Sequence, residues 1–176
     1  GMYESNVLGT IQPIGEVGRI AKERGQGKIR FLVDAAQTIG TVGIDVQREH
    51  IDVLAFPGHK SLLGPTGTGG LYVNSPLGVE DFQAFREGGT GGDSSSPTMP
   101  RQFPYFLEGG TPNTVGIAGL GAAVEYVAGH DPAKTLAKEE RDNNIRVNVV
   151  ATEHVERQMG FRLARAAMLA RFVNVK

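Results

Sequence analysis

The sequence predicts an α/β fold, because a helical pattern alternates with short apolar runs that are typical of buried strands. The first element is a helix over residues 13–25. Pro13 suits its first turn, and Gly25 follows the basic residues of its last turn. Its apolar positions recur at helical spacing and predict its buried face: Ile14, Val17, Ile20 and Ala21.

Three strands are predicted over residues 29–33, 51–56 and 69–74. The first is a continuous apolar run that ends at Asp34, which is typical of a strand buried on both faces. Residues 45–50, between the first two strands, predict a short helical turn.

Two further helices are predicted in the second half of the chain. Residues 87–100 have the composition of a loop. Residues 113–129 predict a buried helix with three internal glycines, each costing about 1 kcal/mol, so close packing is expected to compensate. A charged helix is predicted over residues 131–158, with Asp131 as its N-cap and Pro132 at its first position.

Composition excludes several classes of function. The net charge of −1 argues against a broad surface for nucleic acid, and no apolar run reaches the roughly 18 residues of a membrane span. The chain has no cysteine, which excludes disulfides and thiolate metal sites, and its four histidines lack metal-ligand spacing. No secretory signal is evident, so a cytoplasmic location is expected.

The residues that could carry chemistry follow the ends of the first two strands. Asp34 lies where α/β sheets bind ligands, with Gln37 three residues later, but a helix cap or plain solvation would also explain a carboxylate there. Lys60, beside His59, is either a surface charge or a desolvated amine able to form a Schiff base. The glycine-rich "GPTGTGG" after it is not a P-loop, because the lysine precedes the glycines.

Four segments occur together in one order: "SNVLGTIQPI" (5–14), "VDAAQTIG" (33–40), "GHKSLLGPTGTGGLYV" (58–73) and "EGGTPNTVGIAGLGAA" (108–123). With them the chain resembles the class V aminotransferases, which are fold-type I pyridoxal-phosphate enzymes, and most of all the cysteine desulfurase and selenocysteine lyase branch. The resemblance covers about residues 3–157. It implies a three-layer α/β fold, a mostly parallel sheet flanked by helices, here incomplete.

The resemblance also implies which side chains hold pyridoxal 5'-phosphate. Lys60 would carry it as an internal aldimine and then move protons at the substrate's α-carbon. Asp34 would lie beside the pyridine nitrogen, which keeps the ring protonated and able to accept electrons. Gln37 would hydrogen-bond the phenolic oxygen of the ring.

Three more residues match cofactor-binding positions of the family. His59 would lie beside the phosphate, and Asn6 near the substrate carboxylate and the ring oxygen. Thr111 would reach the phosphate bound by the other subunit, which implies a homodimer. No metal ligand is implied.

The expected activity is C–S or C–Se bond cleavage in a cysteine-type amino acid, with a sulfur-acceptor protein as a further partner. Two alternatives stay open: another class V reaction, such as transamination or epimerisation, and a truncated chain without activity. Pro57 replaces a serine that binds phosphate in many desulfurases, and residues 108–110 lack an arginine common there.

The boundaries of the resemblance suggest the central piece of a larger enzyme. Residues 1–157 are predicted to form part of the cofactor-binding large domain, and residues 158–176 either the start of a small C-terminal domain or an aberrant tail. In desulfurases that C-terminal half carries the catalytic cysteine, and this chain has none.

Overall fold

The computed structural model describes residues 1–89 and 95–130. Two helices, α1 and α2, and three strands, β1 to β3, make up its regular structure: α1 (Ile14–Gly25), β1 (Leu32–Asp34), β2 (Val53–Pro57), β3 (Gly69–Val73) and α2 (Thr114–Gly129). Two single 3₁₀ turns, Val79–Asp81 and Tyr105–Leu107, lie between β3 and α2. The helix predicted over 131–158, the boundary at 157 and the segment 158–176 lie outside the described residues.

The three strands form a small mixed sheet in the order β1, β2, β3. β1 and β2 run parallel, with Asp34 opposite Ala55, while β2 and β3 run antiparallel, with Pro57 opposite Gly69. The connection from β2 to β3, residues 58–68, contains no helix, so the chain reverses direction instead of crossing over. A mixed sheet flanked by helices confirms the predicted class, an incomplete α/β domain.

The first strand is shorter and less buried than predicted. Only Leu32–Asp34 pairs as β1, and of these residues only Val33 is buried. The expectation of burial on both faces is therefore wrong for β1, because in the described residues nothing covers the face that bears Leu32, which is 49% exposed. The single bridge between Met2 and Asp34 is the pairing on the outer side of this strand.

Helix α1 buries a different face from the predicted stripe. Ile14 is buried, but Val17 and Ile20 are exposed, while Gly18 faces inward. A Cβ on Gly18 would lie 2.1 Å from the backbone oxygen of Glu49. Close approach of α1 to the turn over residues 45–50 therefore decides the rotation of the helix, and a residue without a side chain permits it.

The core draws on both helices, on β1 and β2, and above all on the connection between those two strands. Its buried members include Ile14 from α1, Val33 and Leu54 from the strands, and Leu120 from α2. Asp52 is the one buried carboxylate in the described core, and it accepts from Lys22 Nζ at 2.6 Å and from the backbone N–H of Phe31 at 2.8 Å. In the described residues no helix is long and apolar enough to cross a membrane.

Candidate functional site

The ends of β1 and β2 place two of the predicted site residues at one edge of the sheet. Because these strands are parallel, their carboxyl ends meet at the same edge. Asp34 is the last residue of β1, and Lys60 lies three residues beyond Pro57, the last residue of β2. We refer to this edge as the carboxyl edge.

The backbone of Asp34 is fixed, while its side chain stays exposed. Its N–H donates to the oxygen of Gly1 at 2.8 Å, and its own oxygen accepts from the N–H of Tyr3 at 2.9 Å. One carboxylate oxygen accepts from the N–H of Ala36 at 2.8 Å. This last bond orients the carboxylate and leaves its second oxygen available to a ligand.

Asn6 and Gln37 lie in direct contact. Gln37 Nε2 donates to Asn6 Oδ1 at 2.8 Å across 31 residues of sequence. Asn6 belongs to the N-terminal segment, residues 1–12, which folds back on itself through bonds from Ser5 N to Thr10 O and from Gln12 N to Tyr3 O. The structure therefore brings together two residues that were assigned to neighbouring atoms of the cofactor.

The loop that carries Lys60 is closed by its own backbone. Gly58 N donates to Thr68 O and Gly64 N donates to Gly58 O, both at 2.7 Å. A Cβ on Gly58 would lie 2.9 Å from a methyl carbon of Leu120, so the loop packs directly on α2. Lys60 is half-buried in this loop.

Backbone strain lies close to Lys60. Leu63, a branched residue, has a φ of 58°, and its N–H donates to the oxygen of Lys60 at 2.8 Å. The left-handed conformation is costly for such a residue and persists where the surroundings impose it, which is frequent at functional sites. The sequence gives no sign of this positive φ, because leucine normally adopts helical or extended backbone with a negative φ.

His59 and Thr111 make no side-chain hydrogen bond to the other predicted site residues in the part of the chain that the structure describes. Both side chains are exposed. Thr111 lies in the short segment before α2, whose first turn is capped by Asn113 Oδ1 accepting from Gly116 N at 3.0 Å. Within residues 1–89 and 95–130, no side-chain hydrogen bond joins Lys60, His59 or Thr111 to the other predicted site residues.

A pair that the sequence patterns did not reveal joins the N-terminal segment to the turn before β2. The hydroxyl of Tyr3 donates to Glu49 Oε1 at 3.0 Å, and the other carboxylate oxygen, Oε2, is buried without a partner. Burial raises the pKa of the Glu49 carboxyl, which outweighs the opposite effect of the Tyr3 bond. Burial, with the adjacent charge of Glu49, also raises the pKa of the Tyr3 phenol. The two residues are 46 positions apart, so no local pattern could have paired them.

The raised pKa of Glu49 predicts a pH-dependent stability. The folded chain holds the proton of the Glu49 carboxyl more tightly than the unfolded chain does. This difference therefore adds to the free energy of unfolding in full below the unfolded pKa of about 4.3, and the addition is lost as pH rises through the raised pKa of the folded chain. In Glu49→Gln the group is neutral at every pH, and the free energy of unfolding should fall less over that range. Urea denaturation at several pH values measures this slope. Glu125→Gln, at an exposed carboxylate of α2, is the matched control and should keep the wild-type slope.

Comparison with known proteins identifies the family of this arrangement. The family model described as "Aminotransferase class-V" matches residues 2–168. The chain belongs to the class V aminotransferase family. Members of this family are enzymes that depend on pyridoxal phosphate, so the resemblance noted on the four segments is confirmed.

Individual relatives point to one branch of the class V family. A "Probable cysteine desulfurase" of Methanothermobacter thermautotrophicus is 44% identical over 124 residues, which are 70% of this chain and 30% of that protein. The apo structure of a cysteine desulfurase from Thermococcus onnurineus NA1 is 34% identical with a TM-score of 0.66, over 80% of this chain and 36% of that chain. The structure described as SspA in complex with cysteine is 36% identical with a TM-score of 0.57, over 70% of this chain and 31% of that chain.

The chain spans about a third of the length of these relatives. The functional groups along its carboxyl edge fit the cofactor of the family in kind: an amine from Lys60, a carboxylate from Asp34 and the joined amides of Asn6 and Gln37. Because an aldehyde, a ring nitrogen and a phenolic oxygen need an amine, an anion and a hydrogen-bond donor, this set suits pyridoxal phosphate. The individual roles of these residues stay predictions.

Proposed function

We propose that the protein containing these residues is a cysteine desulfurase-type enzyme, which uses pyridoxal phosphate to cleave the C–S bond of a cysteine-type amino acid. The observation that carries the proposal is the carboxyl edge, where Lys60 and Asp34 follow adjacent parallel strands in a chain of a pyridoxal-phosphate family. The names of the relatives support the substrate class, because cysteine desulfurases recur among them and one structure was obtained with cysteine.

When bound, pyridoxal phosphate supplies a sink for the electron pair left at the substrate's α-carbon. The Lys60 amine would hold the aldehyde end of the cofactor and, once released, would take and return the proton at the α-carbon. The strained turn at Leu63, bonded to the Lys60 oxygen, would fix the lysine backbone during that exchange.

Asp34 would present its free carboxylate oxygen to the protonated ring nitrogen of the cofactor. The bond from Ala36 N to its other oxygen holds the carboxylate in one orientation, so less order has to be gained on binding. Gln37 would donate to the phenolic oxygen, and the bond between Gln37 Nε2 and Asn6 Oδ1 leaves the Asn6 amide donor free for the substrate carboxylate. The two amides would then act as one unit.

The phosphate end would be held by weaker determinants than in most relatives. Pro57 has neither a hydroxyl nor an N–H to offer. His59 is exposed and could contact the phosphate of its own subunit, and Thr111 could cross to the site of a second copy. We therefore include a homodimer in the proposal. The thiol that would receive sulfur is not among these 176 residues, since none is cysteine.

The test is to load the chain with pyridoxal phosphate, remove free cofactor by gel filtration, and add L-cysteine. We expect a visible absorption band that changes on addition of cysteine, without formation of alanine, because these 176 residues contain no thiol that could accept the sulfur. A band that responds to other amino acids but not to cysteine would favour a different class V reaction. A chain that stays colourless with excess cofactor would overturn the proposal for these residues.

A further inference from the structure

Tyr3 joins two parts of the molecule that no other side chain in the N-terminal segment connects. Its backbone N–H donates to the Asp34 oxygen at the carboxyl edge, at 2.9 Å. Its ring is buried in the core, and its hydroxyl reaches Glu49 in the turn before β2. The residue thus ties the end of β1 to a distant turn through one side chain.

The surroundings of Glu49 offer its carboxyl no second side-chain donor in the described residues, although the backbone of Asp45 also acts on it. The inner face of α1 presents Gly15 and Gly18 to it, and neither can donate from a side chain. The charged groups that act on it are Asp45 and Arg48 of its own turn, while Tyr3 of the N-terminal segment acts as a neutral hydrogen-bond donor. Its Oε2 is buried without a hydrogen bond, so the Tyr3 hydroxyl is the one side-chain donor that satisfies this carboxyl in the described structure. Such a group is costly to leave unpaired, which favours the docked position of Tyr3.

Backbone hydrogen bonds connect Tyr3 to the loop that carries Asn6, one of the predicted cofactor residues. Gln12 N donates to the oxygen of Tyr3, and the bond from Ser5 N to Thr10 O closes the loop that presents Asn6. Asn6 then accepts from Gln37. The exposed side chains of this loop, Val7 and Leu8, contribute no burial that could hold it in place.

We propose that Tyr3 and Glu49 are positioning residues, which anchor the N-terminal segment so that Asn6 stays on Gln37 and the cofactor is retained. This inference rests on the proposed function for its cofactor part and on the fold alone for its anchoring part. Neither residue touches the cofactor in this proposal. Their effect passes through the position of Asn6 and through the backbone of Asp34.

The experiment compares the 176-residue wild type with Tyr3→Phe, Glu49→Ala, Glu49→Gln and Tyr72→Phe. Tyr72→Phe is the matched control, because it also removes a partly buried hydroxyl, one bonded to Asn74 near the amino end of β2. Amide hydrogen exchange of residues 3–12 reports the anchoring. Titration with pyridoxal phosphate, followed by its visible absorption, reports retention. Urea denaturation supplies the global stability against which both are normalised.

We expect Tyr3→Phe and Glu49→Ala to raise exchange at residues 3–12 about tenfold beyond the change in global stability, the effect of losing one hydrogen bond to a charged group. Cofactor dissociation should rise by a similar factor. Glu49→Gln should restore most of the protection, because its amide oxygen still accepts from Tyr3. Tyr72→Phe should change neither measurement once global stability is taken into account.

Unchanged exchange at residues 3–12 in both Tyr3→Phe and Glu49→Ala would overturn the anchoring. A loosened segment with wild-type cofactor affinity would overturn the link to retention. If Tyr3→Phe does not fold, the contrast between Glu49→Ala and Glu49→Gln decides the matter. A wild type that binds no pyridoxal phosphate counts against the proposed function instead, and the exchange data still decide the anchoring.

Discussion

Lys60→Ala is expected to abolish the visible absorption band that the chain retains with pyridoxal phosphate after gel filtration. Retention of the cofactor depends on a covalent bond to an amine, and Lys60 is the lysine that follows β2 at the carboxyl edge. Alanine keeps the backbone and removes the amine, so the loop bonds from Gly58 and Leu63 should persist. The measurement is an absorption spectrum of the loaded, desalted protein.

Two controls make the Lys60 experiment specific. Lys28→Ala removes an exposed lysine outside the predicted site and should leave the band at wild-type intensity. Lys60→Arg keeps a positive charge but has no amine that can bond to an aldehyde, so it should behave like Lys60→Ala. A full band in Lys60→Ala would move the covalent site to another amine and remove the main support for the proposed chemistry.

Gly18→Ala should produce the largest loss of stability among single-methyl additions to α1. The added Cβ would lie 2.1 Å from the backbone oxygen of Glu49, and backbone cannot rotate away as a flexible side chain can. The overlap exceeds the gain of about 1 kcal/mol in helix propensity, so we expect a net destabilisation of about 2–3 kcal/mol. Urea denaturation of the chain without cofactor measures it.

Gly15→Ala is the matched control on the same helix. Its Cβ would meet the Glu49 side chain at 3.8 Å, an ordinary contact, so only the helix propensity changes. We expect a gain of about 0.5–1 kcal/mol. Equal effects at the two positions would show that α1 does not pack against the 45–50 turn as described.

Several elements could be predicted because their signals are local. The first helix and the helix after residue 113 were predicted within one residue of α1 (Ile14–Gly25) and α2 (Thr114–Gly129). Pro13 was the start signal for the first helix, and the structure adds a cap that had not been predicted, Asn113 at the start of α2. The turn over 45–50 also formed, with Glu49 N donating to Asp45 O.

Predictions that depended on packing were less successful. The predicted buried face of α1 was wrong at Val17 and Ile20, which are exposed. Apolar spacing could not show that Gly18 has to face the turn over residues 45–50. The first strand was predicted too long and too buried, since its outer face depends on what covers it. The direction of β3 was not predicted, because it depends on a connection without a helix, residues 58–68.

The same distinction between local signals and packing applies to the candidate site. Four co-linear segments were enough for the family and its cofactor, because residue identity carries that chemistry wherever the chain folds. The contact between Asn6 and Gln37, the strain at Leu63 and the support of Tyr3 by Glu49 all appeared only in the structure.

By itself the sequence determined the α/β class, the two helices, and the family with its cofactor. Only the tertiary structure decided which face of α1 is buried, how β3 runs, and that Tyr3 reaches Glu49 from the end of β1. The physical reason is range. Helix caps and apolar periods act over a few residues, whereas burial and hydrogen bonds across the core join positions that only the fold brings together.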